Sequence, residues 1–161
     1  MRKKYMILTV AMLLVCMFCC GCDGAKKQEG ELQISYLDKE QTKTVRVGYD
    51  PNADQADTEL LVRELIDVLS TDSGDVDLVR PIPEGVQVTK TKLGQDGDLK
   101  VYFNDAYHSI DAVPEILCRL ALVQTLTQVE GVACLEFFVD GEPLEDTRGN
   151  EVGQMTPDDF V

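Results

Sequence analysis

The chain has 161 residues, with 15 lysines and arginines against 29 aspartates and glutamates, for a formal net charge of −14. So acidic a surface is a poor match for nucleic acid or anionic lipid headgroups; its plainest role is to keep the domain soluble, with basic partners or cation-rich wall polymers as the alternative. Hydrophobic residues make up 44% of the composition, enough in this length for a single domain with a real core.

The N-terminus comes first. Arg2, Lys3 and Lys4 precede an apolar run from Met6 to Phe18, broken only by Thr9. A short basic stretch followed by an apolar core of about 7–15 residues is a secretory signal, and the run falls short of the roughly 20 residues that a membrane-spanning helix needs. The stretch MFCCGCDG that ends it resembles the lipobox of bacterial lipoproteins: small Gly21 stands before Cys22, with Cys19 where Leu is usual and Cys20 in a place often filled by Ala, Ser or Thr. That resemblance implies removal of a signal peptide over residues 1–21, with Cys16, Cys19 and Cys20 lost, and lipidation of Cys22. The alternatives are an uncleaved N-terminal anchor and a plain secretory signal. Two acyl chains anchor stably where one is marginal. The lipidated cysteine and polar linker span 22–31, which reach at most roughly 30 Å when extended. A folded domain over 32–161 is therefore expected at the outer face of the cytoplasmic membrane. Once the three basic residues of the signal are gone, 12 basic and 29 acidic residues leave a net charge of −17, so lipid rather than charge must do the anchoring.

LQISYLD (32–38) and KTVRVGYD (43–50) alternate apolar and polar residues about a polar turn, which predicts a hairpin of two strands. DQADTELLVRELIDVLS (54–70) predicts a helix capped by Asp54, with Leu61, Leu65, Val68 and Leu69 on one stripe. Asp50, Asn52 and Asp54 look like the start of a calcium loop, but Gln55 replaces the glycine and Leu61 the bidentate glutamate, so the ligand set fails. After a loop, VQVTKTKL (86–93) and DLKVYFND (98–105) predict a second hairpin. DAVPEILCRLALVQTLTQVEG (111–131) predicts a second helix, capped by Asp111 and ended by Gly131. Val113, Ile116, Leu117, Leu120 and Val123 make its core stripe. Leu122, Leu126 and Val129 form a second stripe, nearly opposite, which local loops or a partner protein must cover. VACLEFFVDGEPL (132–144) predicts a strand, an Asp140-Gly141 turn and a short return strand, and the polar tail is expected to be loop. The order ββαββαββ predicts an α+β fold, two helices on one face of a mixed β-sheet. Cys118 and Cys134 are the cysteines of the folded part, either paired or buried as free thiols.

The segments IPEGVQVTKTKLGQDGDLKVYFND (82–105) and LVQTLTQVEGVACLEFFVDGEPL (122–144) resemble the sporulation and spore germination domain of the GerMN type. The matching features are Ile82-Pro83-x-Gly85, the strand Leu99 to Phe103, Thr125-Leu126, Gly131-Val132 and Val139-Asp140-Gly141. Gln124 stands where that family usually has Asn, and one copy is present of a domain that is often paired. The resemblance covers about residues 32–160. It implies a fold similar to the ring-building modules of sporulation secretion assemblies, and a membrane-tethered assembly role rather than an enzymatic one.

The residues themselves give little sign of catalysis. His108 is the one histidine, and no metal-ligand spacing, phosphate loop or nucleophile motif stands out. Asp105 and Asp111 could form a carboxylate pair for glycan chemistry, though capping is the commoner use of such residues. Neither cofactor nor metal is expected. Three functions follow in order of preference. The first is an assembly or scaffolding module docking envelope or sporulation proteins, with Leu122, Leu126 and Val129 as the partner face. The second is a peptidoglycan-binding module that positions or regulates a cell-wall hydrolase, and the third a wall-modifying enzyme.

Overall fold

The computed structural model describes residues 32–160; the signal peptide, Cys22 and the linker expected over 1–31 lie outside the described residues. β1 (Leu32–Asp38) and β2 (Thr44–Tyr49) form the expected hairpin, in register from Leu32 opposite Tyr49 to Leu37 opposite Thr44. Asp38 holds its turn, accepting from the N–H groups of Thr42 at 2.7 Å and Lys43 at 3.1 Å. The helix α1 runs from Thr58 to Leu69 and starts later than the expected 54. Asp57, not Asp54, is its cap and accepts from the Leu60 N–H at 3.1 Å. Asp54 is instead engaged in a turn of its own, accepting from the Ala56 N–H at 3.0 Å.

A short β3 (Leu78–Val79) pairs with the end of β1. β4 (Val88–Leu93) and β5 (Asp98–Phe103) make the second hairpin, with a bulge between Val88 and Lys90. The helix α2 covers Ala112–Leu126 and stops short of Gly131. Gly131, at φ +87°, ends the turn that follows, in which the Val132 N–H donates to the Val129 carbonyl at 3.1 Å. Asp111 sits at the N-cap but makes no capping side-chain bond. β6 (Cys134–Val139) runs parallel to β5. Asp140 and Gly141 follow at φ +51° and +90°, the double positive φ that a type I′ turn requires, and lead into β7 (Glu142–Pro143). The tail expected to be loop supplies β8 (Gln154–Met155), which pairs with β6 and buries Met155 in the core.

The class is α+β, two helices with mixed sheets, and the described residues form one compact unit. The single sheet expected is two: β2-β1-β3, and β4-β5-β6-β7 with β8 also on β6. Side chains of the last turn of α2 and the segment after it explain the split. The Ser35 N–H donates to Thr125 Oγ1 at 3.1 Å. The Gln33 N–H donates to Gln128 Oε1 at 3.0 Å, and Gln128 Nε2 donates back to the Gln33 carbonyl at 2.8 Å. The Gln128 carboxamide thus bonds β1 as a neighbouring peptide unit would, and satisfies an edge that another strand would otherwise have to satisfy. The main core joins Ile34 and Tyr36 of β1, the inner face of α1, Val101 and Phe103 of β5, and Phe137 of β6.

Candidate functional site

Three places bring chemistry-bearing side chains together. The first is a cleft of about 400 Å³ beside the N-terminal half of α2. A 3-10 turn over Asp105–Ser109 delivers Tyr107, whose ring packs 4.5 Å from that of Phe103. The Tyr107 hydroxyl donates to Glu115 Oε1 at 2.8 Å. Arg119, one turn further along α2, donates Nε to Glu115 Oε1 at 2.7 Å and Nη2 to Oε2 at 2.8 Å. Its Nη1 donates to Met155 Sδ at 3.5 Å. Burial pushes the Tyr107 hydroxyl far above its ordinary value. Burial opposes the charge on Arg119, but the Glu115 carboxylate outweighs it and holds the guanidinium above its usual value. Beside this pair the Cys118 thiol is pushed up to about 12 by burial. A carboxylate held by three donors is not a free base, so the cluster acts as a clamp joining α2 to the 3-10 turn and to β8.

His108 lines the same cleft, but Asp105 and Asp111 do not. Asp146 on the rim is turned to its own loop, accepting from the N–H groups of Arg148 at 2.7 Å and Asn150 at 3.0 Å. Those bonds, the Asn150 amide foremost, hold its carboxyl below the usual range.

The second cluster centres on Glu64 of α1. It accepts from the Tyr49 hydroxyl at 2.6 Å, the Asn52 N–H at 2.8 Å and the Ala53 N–H at 2.6 Å. These donors, Tyr49 first, draw its carboxyl down to about 2. Burial and then Glu64 itself push the Tyr49 hydroxyl up to about 12. This too is a clamp, fixing the chain after β2 onto α1.

The third place is a trough between α1 and β4. It consists of two adjoining hollows of about 460 and 380 Å³ that share Glu59 and Thr91. Val62 and Ile66 line one wall, and Val88, Thr91 and Leu93 the other.

The expected partner face is not on the surface. Leu122 and Leu126 are fully buried and Val129 is 3% exposed. The fold itself covers that stripe, and the residues cannot dock a partner. Val113 and Ile116, expected in the core, are instead 59% and 47% exposed. Because α2 is apolar nearly all round, its periodicity could not say which side would face out. Thr125 and Gln124 serve the fold: Thr125 Oγ1 closes the β1 edge, and Gln124 Oε1 accepts from the Thr44 hydroxyl at 3.0 Å. Gly85 and Asn104 form a latch, Asn104 Nδ2 donating to the Gly85 carbonyl and the Gln87 N–H to Asn104 Oδ1, both at 3.0 Å. The sequence did not announce the Tyr107–Glu115–Arg119 cluster, although Glu115 and Arg119 at helical i, i+4 spacing were a signal for the ion pair. Among the described residues Cys118 and Cys134 are both free thiols. Among the described residues no group of three His, Cys, Asp or Glu stands close enough to hold a metal, and no helix is long and apolar enough to cross a membrane.

The family model described as Germane, sporulation and spore germination, matches residues 33–145. Among solved structures, the chain is similar to the first GerMN domain of the sporulation protein GerM from Bacillus subtilis. The TM-score is 0.63 at 13% identity, covering 78% of this chain and 96% of that one. It is also similar to the tandem GerMN domains of the same protein, at TM-score 0.59 and 12% identity over 80% of this chain, which spans only 46% of the tandem structure. A third likeness is to a protein from Clostridium perfringens described as a lipoprotein, at TM-score 0.50 and 15% identity, covering 81% of this chain and 90% of that one. No curated protein matches the chain.

Proposed function

Since the chain belongs to the sporulation and spore germination family, we propose that it is a lipoprotein held at the outer face of the cytoplasmic membrane through Cys22, where its domain works as a non-catalytic assembly or scaffolding module in sporulation or germination. The observation that carries this reading is the family match over 33–145, joined to a lipobox-like stretch just upstream. The state of the polar groups supports the non-catalytic part. Glu64, Glu115, Arg119 and Asp146 each bond several groups of their own fold, which leaves them as supports rather than as acids or bases poised for a substrate.

The test is a Cys22→Ser variant in a spore-forming host. The expected result is loss of the mature protein from the membrane fraction, together with a sporulation or germination defect that restoring Cys22 reverses. A variant that still fractionates with membranes and supports normal spores overturns the reading. Co-sedimentation of the chain with purified peptidoglycan would replace scaffolding with wall binding.

A further inference from the structure

β4 is an edge strand of the larger sheet, the one six residues long. At its end the Gly94 N–H donates to the Asp98 carbonyl at 2.9 Å. An antiparallel ladder alternates, so Lys92 and Lys90 also turn their backbone groups toward β5, and Thr91 and Leu93 turn theirs outward. The trough runs along that edge. Thr58, Glu59 and Val62 lie beside Thr91–Leu93, and Ile66 and Asp67 lie beside Val88–Thr91, so α1 follows β4 from end to end in the opposite direction. Six residues of strand span roughly 20 Å, and 12 residues of helix span roughly 18 Å. The hollow is therefore as long as the edge. Its apolar lining includes Leu93, which is 41% exposed. The side chains of Lys90 and Lys92 stand on the opposite, solvent-facing side of the sheet, Lys90 lying 5.4 Å over the Tyr102 ring. In a chain of net charge −14, these two lysines put positive charge on the outer side of the edge strand, while Glu59, Arg63 and Asp67 line the hollow on the helix side.

We infer that the trough takes an extended segment of a partner protein, added to β4 as a further strand, with apolar side chains over exposed Leu93 and half-buried Val88 and acidic side chains facing Lys90 and Lys92. Backbone pairing supplies affinity in this mode, and alternate side chains supply specificity. Opposite charges on directly facing strand positions favour an acidic segment over a basic one. This proposal deepens the assembly reading and rests on it by naming the chemistry of the docked partner. It stands or falls on peptide binding, whereas the assembly reading stands or falls on the Cys22 variant.

The experiment uses the full chain in non-ionic detergent and two synthetic peptides of about eight residues, one alternating valine with glutamate and one alternating valine with lysine. Binding of the valine–glutamate peptide should slow amide hydrogen exchange at Thr91 and Leu93 and should be about tenfold tighter than that of the valine–lysine peptide. The exposed double variant Lys90→Glu/Lys92→Glu should reverse that preference. Lysines on an edge strand also serve to keep other strands away. If neither peptide slows exchange at Thr91 and Leu93 at millimolar concentration, that protective role is the right one and the proposal is overturned. Equal affinity for the two peptides, unchanged preference in the double variant, or protection confined to another edge overturns it as well.

Discussion

The helices α1 and α2 draw on the same aliphatic residues and bury themselves in different ways. α1 keeps one wet face. Its Glu59 and Arg63 side chains are 82% and 66% exposed, while Leu61, Leu65 and Leu69 are almost completely buried. α2 buries Leu117, Cys118, Leu122, Val123 and Leu126 together, residues spread over roughly two thirds of the helix circumference, and exposes only Val113 and Ile116 among its large apolar side chains. It does so because its far end bonds the edge of β1 through Thr125, and Gln128 just beyond it, while its near end is clamped by Tyr107 and Met155. Periodicity reports a buried face only when a helix has a single one. Where a helix is hemmed in on several sides, its apolar surplus looks the same whether a partner covers it or its own chain does.

The largest effect that would break this contrast lies in α2. Leu122→Ala should cost about 2–5 kcal/mol, as expected for a leucine lost from a closed core, with a matching fall in the thermal midpoint. A loss below about 1 kcal/mol would mean that this stripe is not core after all. Next is the helix-to-strand bond. Thr125→Val keeps the shape but strands the buried Ser35 N–H, and should cost about 1–3 kcal/mol in chemical denaturation, while Thr125→Ser should restore most of it.

On α1, Glu64 sharpens the contrast through pH. Its folded carboxyl is held at about 2, below its ordinary 4.5. The stability it contributes is therefore present above its ordinary value and is lost as pH falls from there toward 2. Denaturation midpoints of the wild type should drop across that window, and Glu64→Gln should flatten the drop while leaving the fold intact. A Glu64→Gln protein with an unchanged acid slope would remove Glu64 from the account. The smallest effect belongs to the exposed positions. Leu60→Ala on α1 and Val113→Ser on α2 should each stay within about 0.5 kcal/mol of wild type, and a larger loss at Val113 would return it to the core.

Both hairpins, both helices and the Asp140-Gly141 turn were legible because each rests on short-range signals: alternation over a few residues, a helical apolar period, and a turn that needs positive φ. Even so, the boundaries shifted. Asp57 is nearer than Asp54 to the first helical turn of α1, and α2 stops at Leu126. β3 and β8 went unread because two residues carry no period, and Met155 hid its apolar side chain in a polar tail. The Tyr107–Glu115–Arg119 clamp was half legible, its ion pair in the i, i+4 spacing but its tyrosine only in three dimensions.

The order of the two hairpins, the two helices and the strand after them, the α+β class, the family likeness and the acidic character were determined by the sequence alone, since local chemistry decides each of them. Which side of α2 faces out, how the strands divide into two sheets, and that a trough runs beside β4 were decided only in the tertiary structure. Those outcomes depend on Gln33 meeting Gln128, Ser35 meeting Thr125, and α1 lying along β4, pairs far apart in the chain whose meeting no short-range pattern records.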